Sequence, residues 1–271
     1  MLPTRSLTFL GIEVNTVTHI ASIPLGKIDS YKKDVLILAN KAGCALRELK
    51  SVIGKLQLVC TVIPSGRCFL RRLHDLTRGK VKPNSHVFLP IWAKEDLLLW
   101  VKFLDIYNGR STFNFRWQLN SSTLRFTTDS SKKGYGGIFR NQFIQGLFPE
   151  SWQEFNIAIL EIYPIFALVH IFGPTIPNSH LLFRCDNEAI VYVINNKTSK
   201  DPYIMKILRP LILVLMENNI IFFAQHVPGK NNDICDALSR SQVPESFLRH
   251  HKLNLAPTPI PEEILPRSFK M

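Results

Sequence analysis

Apolar residues recur along this chain with two different periods. From Leu46 onward they stand at Leu46, Leu49, Ile53, Leu56 and Cys60, with Arg47, Lys50 and Lys55 mostly on the other side, which predicts an amphipathic helix within 46–63. A more basic helical segment follows in "PSGRCFLRRLHDLTRGK", and "FLPIWAKEDLLLWVKFL" predicts another helix with a connector reaching residue 122. After Asn120 the period shortens to two. "STLRFTTDSS" alternates as a strand, and "KGYGGIFRN" and "QFIQGLFP" complete an antiparallel meander. Then come a helix in "FNIAILEIYPIFALVHIF", the strand "HLLFRC", a helix from Asn187, the helix "DPYIMKILRPLILVLMENN", the strand "IIFFAQHV" and a short helix in "NNDICDALSR".

Three strands, a helix, a strand, two helices, a strand and a helix describe a mixed α/β domain over 121–242. The Pro-rich "APTPIPEEILP" within 243–271 reads as a linker or disordered tail. The longest apolar candidate, "LRPLILVLMENNIIFFAQ", is interrupted by Arg209, Pro210 and "ENN", and the short apolar run near the start ends at Glu13. Neither a membrane span nor a signal peptide is therefore expected.

Charge adds a partner class. The net charge of +12 favours a polyanion such as nucleic acid. Residues 1–110 hold 17 basic against 8 acidic side chains, whereas 111–271 hold 16 against 13. Lys55, Arg67, Arg71, Arg72, Arg78, Lys80 and Lys82 are the candidate phosphate contacts; the plain alternative is a solvated helical face. Five cysteines, odd in number and without a CxxC pair, fit reduced core thiols of an intracellular protein, in cytoplasm or nucleus.

The acids of the second half suggest chemistry. Asp233 fits a helix N-cap, but Asp236 beside Ile234, Ala237 and Leu238 needs another reason. Asp129 ends the first strand, and Asp186 ends the fourth, where Asn187 already serves as helix cap; each alone is an ordinary turn residue. Glu161 shares a helix face with Ile157, Pro164, Ile165 and Leu168, where a carboxylate is costly unless paired, protonated or metal-bound. Together these four would deliver hard oxygen ligands to one edge of a mixed sheet. Such a cage suits two magnesium ions, with manganese as substitute, held about 4 Å apart for in-line displacement at phosphorus.

"TTDSSKKGYGG", "LEIYPI", "FRCDNEAIVYVIN" and "HVPGKNNDICDALSR", in this order, resemble the ribonuclease H domain of a retroelement reverse transcriptase. "FLGIEVNT", "SVIGKLQLVCTVIPSGRCFLRRLHDL", "FNFRWQ" and "SKDPYIMKILRPL" are similar to the thumb and connection of DIRS-type elements, retrotransposons carrying a tyrosine recombinase. The resemblance implies a ribonuclease H-like mixed sheet with flanking helices, preceded by a mainly helical thumb/connection segment. Its domains would be a palm remnant over 1–28, thumb/connection over 29–120, the nuclease over 121–242 and the tail over 243–271. It further implies Asp129, Glu161, Asp186 and Asp236 as metal ligands, His226 and Asn232 as auxiliary residues, and Gly134 and Gly136 as shapers of the first hairpin.

Several features depart from the pattern. With no Asp-Asp pair the polymerase metal site is absent, "NNKTSKDPY" is too short for a basic protrusion, and Lys230 replaces a mobile histidine of some relatives. Pro164 is expected to kink the helix near Glu161. The expected activity is cleavage of the RNA strand of an RNA·DNA hybrid, with a palm-containing part of the same element as a further partner. The competing expectations are a non-catalytic nucleic-acid clamp and an accessory scaffold for a polymerase.

Overall fold

A computed structural model describes residues 4–108, 111–112, 123–241 and 243–269, and the chain divides into two units, Met1–Arg116 and Trp117–Met271. The first contains β1 (Ser6–Phe9), β2 (Ile12–Asn15), β3 (Ile20–Ser22), α1 (Leu25–Ala39), β4 (Gly43–Ala45), α2 (Leu46–Val59), α3 (Arg67–Asp75), β5 (His86–Phe88), α4 (Ile91–Tyr107) and β6 (Ser111–Thr112). Its larger sheet is antiparallel in the order β1-β2-β3-β6. The stripe on α2 is buried and also takes in Val52 and Val59. The helix ends before Cys60, short of the expected span, because Pro64 holds Ile63 outside helical geometry. The motif "FNFRWQ" and the end of the connector, 113–122, lie outside the described residues.

The second unit contains β7 (Leu124–Ser130), β8 (Gly134–Phe139), β9 (Gln142–Leu147), α5 (Glu150–Gln153), α6 (Ile157–Phe172), β10 (His180–Cys185), α7 (Glu188–Asn196), α8 (Pro202–Glu217), β11 (Ile221–His226), α9 (Asp233–Ser239) and α10 (Glu245–His250). β7, β8 and β9 form the antiparallel meander; β10 runs parallel to β7 and β11 parallel to β10, giving the order β11-β10-β7-β8-β9. This is the ribonuclease H-like mixed sheet with flanking helices. Strand alternation assigns the two faces. A side chain at Gly136 would run into Leu238 of α9, and one at its neighbour Gly137 into Leu168 of α6, so these helices cover opposite faces of β8.

Two sequence expectations are corrected here. Among the described residues, the helix long and apolar enough to cross a membrane is Ile157–Thr175, α6 and its following turn, rather than the segment around residue 210; 72% of its window is buried within the protein. α6 has no polar face to contrast with a stripe, since Ile159 to Val169 are all buried while Ile157 is exposed.

The Pro-rich segment is no linker. After α10, the Asn254 N–H donates to the Asn141 carbonyl at 2.8 Å and the Thr258 N–H to the Phe143 carbonyl at 2.7 Å, covering the outer edge of β9. Leu248 and Leu253 pack with Phe143 and Leu238. Tyr163 Oη donates to the Ile264 carbonyl at 3.2 Å, and the Phe269 ring lies against Trp152, Tyr163 and Phe166. Prolines suit this role because an edge cover needs only some of its N–H groups. Truncation after Leu253 is expected to lower the Tm by roughly 5–10 °C, at about 2–4 °C per kcal/mol lost, and to produce self-association through the bared edge in size-exclusion chromatography.

Candidate active site

Strand alternation splits β7 at its end: Asp129 points to the α9 face and Ser130 to the α6 face. Asp129 is buried, and its Oδ2 accepts from Ser239 Oγ of α9 at 2.8 Å. Two further side chains fix the same helix along the same strand. Asn232 Nδ2 donates to the Thr128 carbonyl at 3.0 Å, and Cys235 Sγ to the Thr127 carbonyl at 3.3 Å. Asn232 occupies the N-cap position with its side chain turned to β7, and Asp233 is the first helical residue, so the expected Asp233 cap is not formed.

Gly134 and Gly136 make this contact possible. A Cβ on Gly136 would lie 2.4 Å from Leu238 Cβ, and one on Gly134 would lie 2.7 Å from the carbonyls of Gly146 and Ser239. Neither has positive φ among the described residues, so these glycines serve close approach of the helix rather than the hairpin turn expected for them.

Glu161, 4% exposed, accepts from the Ser130 N–H and stands 3.8 Å from Cys185 Sγ. Ligand atoms of Glu161, Cys185 and Asp186 lie within 4.8 Å of one another. Asp186 follows β10, and its buried Oδ1 has no hydrogen-bond partner among the described residues. His226 Nε2 is 3.1 Å from the Asp186 backbone carbonyl and its Nδ1 is 4.0 Å from Glu188 Oε1, so the ring braces the turn that carries Asp186. Asp236 is half-exposed and accepts from Arg240 Nε at 2.9 Å and Nη2 at 2.7 Å. Cys185 has the sequence signature of a plain core thiol; its place beside Asp186 is the one local clue to this site, and only the α6 contact shows that it touches Glu161.

Electrostatics join all four acids. Burial, reinforced by Asp129 and Asp186, pushes Glu161 up to about 9. Burial also pushes Asp129 up to about 6, opposed by the Ser239 hydroxyl and reinforced by Asp186 and Asp236. An acid whose folded pKa lies above its unfolded value stabilises the fold at low pH and loses that contribution as pH rises. A cluster of hard oxygens with an unpartnered Asp186 Oδ1 fits a divalent cation, which would lower this cost.

The basic candidates of the first unit are mostly engaged. Arg72 donates from Nε and Nη2 to the buried Asp96 at 2.9 and 2.6 Å and lies over the Trp92 ring. This engagement competes with its expected role as a phosphate contact, because leaving Asp96 would break a charge-assisted pair with a buried carboxylate. Lys55 pairs with Asp34, and Arg71 and Arg78 share Asp75. Arg67, Lys80 and Lys82 are outside the ion pairs found among the described residues.

No family model matches the chain. It is 23% identical over 220 residues to the "Putative enzymatic polyprotein" of Cassava vein mosaic virus, covering 76% of this chain and 32% of the relative; the chain thus spans about a third of that protein. Among solved structures, RNase H1 of the halophilic archaeon Halobacterium salinarum NRC-1 aligns at 13% identity and TM-score 0.36, covering 44% of this chain and 96% of its own. A foamy viral protease-reverse transcriptase in complex with double-stranded DNA aligns at 14% identity and TM-score 0.35, over 83% of this chain and 38% of its own.

Two outcomes follow from this geometry. In chelator, Glu161→Gln is expected to raise Tm over wild type at pH 8, by roughly 2–4 °C for each kcal/mol relieved, with the gap closing towards pH 5; adding Mg²⁺ should stabilise wild type more than the variant. Gly136→Ala is expected to cost about 1–3 kcal/mol in chemical denaturation, the usual range for forcing a methyl group into a filled contact.

Proposed function

We propose that the second unit is a divalent-metal-dependent nuclease that cleaves the RNA strand of an RNA·DNA hybrid, the ribonuclease H domain of a retroelement polyprotein of DIRS type. The observation that carries this reading is the gathering of Asp129, Glu161 and Asp186 from β7, α6 and β10 at one sheet edge, with Asp236 presented beside them by α9. The likeness to a viral enzymatic polyprotein supports the polyprotein context, and the motif order read in sequence supports the family and the subclass.

Two bound Mg²⁺ or Mn²⁺ ions would supply a water acidic enough to attack phosphorus and positive charge for the departing 3′ oxygen. Asp129, Glu161, Asp186 and Asp236 would hold them. Glu161, pushed up to about 9 by burial, would hold a proton near neutral pH and would have to release it to serve as a ligand. Asp236, paired with Arg240, would have to turn from that partner to contribute a ligand. Ser239 keeps one Asp129 oxygen engaged and so limits its rotation, while Asn232 and His226 hold α9 and the Asp186 turn in place.

Arg67, Lys80 and Lys82 of the first unit remain as phosphate contacts, giving salt-dependent affinity. Leu7, Phe9 and Leu10 are 57%, 65% and 78% exposed, an apolar face that suits packing against a palm-containing part of the same polyprotein.

The test is an end-labelled RNA·DNA hybrid in Mg²⁺ and separately in Mn²⁺, with an all-DNA duplex as control. The expected result is cleavage of the RNA strand alone, falling to background in Asp129→Asn. Salt-dependent binding without cleavage in either metal would make the protein a nucleic-acid clamp.

A further inference from the structure

Pro164 lies inside α6. Having no N–H, it leaves the carbonyl of Leu160, four residues earlier, without its helical donor. Leu160 is fully buried, so that carbonyl needs another partner. Ser130 supplies it: its hydroxyl donates to the Leu160 carbonyl at 3.0 Å. The backbone N–H of the same serine donates to the Glu161 carboxylate.

We infer that Ser130 and Pro164 are a coupled positioning pair, in which the gap left by the proline is filled by the serine so that α6 is tethered to the end of β7 at the residue carrying Glu161. The inference rests on the nuclease reading above and extends it to two residues outside the four proposed metal ligands. The Leu160 carbonyl and the Glu161 N–H belong to one planar peptide. Fixing that plane fixes the direction in which the Glu161 side chain leaves the helix. Because Ser130 directly follows Asp129 in β7, the same tether sets the spacing between the two carboxylates. The kink expected from Pro164 therefore becomes an attachment point. A serine here is not interchangeable with alanine while residue 164 is proline, and becomes so once residue 164 offers an N–H.

The test is a double-mutant cycle of wild type, Ser130→Ala, Pro164→Ala and the double variant in the full chain. It has three readouts: Mn²⁺ binding by electron paramagnetic resonance, hybrid cleavage with kcat and KM separated, and chemical denaturation in chelator. Ser130→Ala alone is expected to weaken Mn²⁺ binding and kcat about 10- to 100-fold, the usual range for residues that orient metal ligands, with KM for the hybrid little changed. Pro164→Ala is expected to restore most of both losses by returning a donor to Leu160, and to reduce the cost of Ser130→Ala in the unfolding equilibrium by about tenfold or more. Effects that multiply independently within about twofold, in a wild type that binds Mn²⁺ and cuts hybrid, would overturn the coupling alone. A wild type that neither binds Mn²⁺ nor cuts would overturn the nuclease reading and the positioning role with it, even if coupling in denaturation persisted.

Discussion

Like charges brought together away from water repel strongly, and the second unit is organised around tolerating that repulsion at one edge of its sheet. Glu161 and Asp129 are both pushed up in pKa by burial and by their neighbours, a cost that isolated local structure would relieve by turning a side chain outward. Here the surroundings prevent it. α6 is buried on all sides, so Glu161 cannot rotate towards solvent, and α9 is held to β7 through Asn232, Cys235 and Ser239. The packing energy of an apolar core thereby holds carboxylates together at a cost that positive charge would relieve.

The clamp of α9 is an unusually local device for a long-range task. Its three side chains reach Thr128, Thr127 and Asp129, all within three consecutive residues of β7, and they can do so only because β8 offers bare backbone at Gly134 and Gly136 beneath the helix. Backbone contact of this closeness fixes the helix in rotation as well as position. The first unit shows a comparable economy in Arg72, whose guanidinium crosses 24 residues of sequence to satisfy the buried Asp96.

Much of the second unit is legible in its amino-acid sequence. The alternation through "TTDSS", the glycines of "KGYGG" and the helical runs give the meander and the order of elements, because strand and helix periods are written in side chains. Glu161 stands out in the sequence for a partly incomplete reason: Ile157, a member of its apparent stripe, is exposed, and the helix is apolar all round. What the sequence hides shares one property, that its determinants are backbone groups or partners distant along the chain. Asp96 shows nothing of Arg72 in its own neighbourhood. The role of Ser130 depends on an N–H that Pro164 lacks. The Pro-rich segment resembles a linker by composition, yet covers an edge strand through two N–H groups at Asn254 and Thr258 that no hydrophobic pattern reports.

That last feature bears on how the unit assembles. The side chains of Asn141 and Asn254 meet at a sequence separation of 113, and Tyr163 meets Ile264 at one of 101. Closing loops of that length delays a contact more than it weakens it. A chain emerging in order from its N-terminal side would form the meander and α6 well before the segment that seals them is available. Until residues 254–264 arrive, β9 presents an open hydrogen-bonding edge. The seal therefore follows the meander and α6 in order of synthesis, and the unit is open to mispairing with its neighbours until it closes.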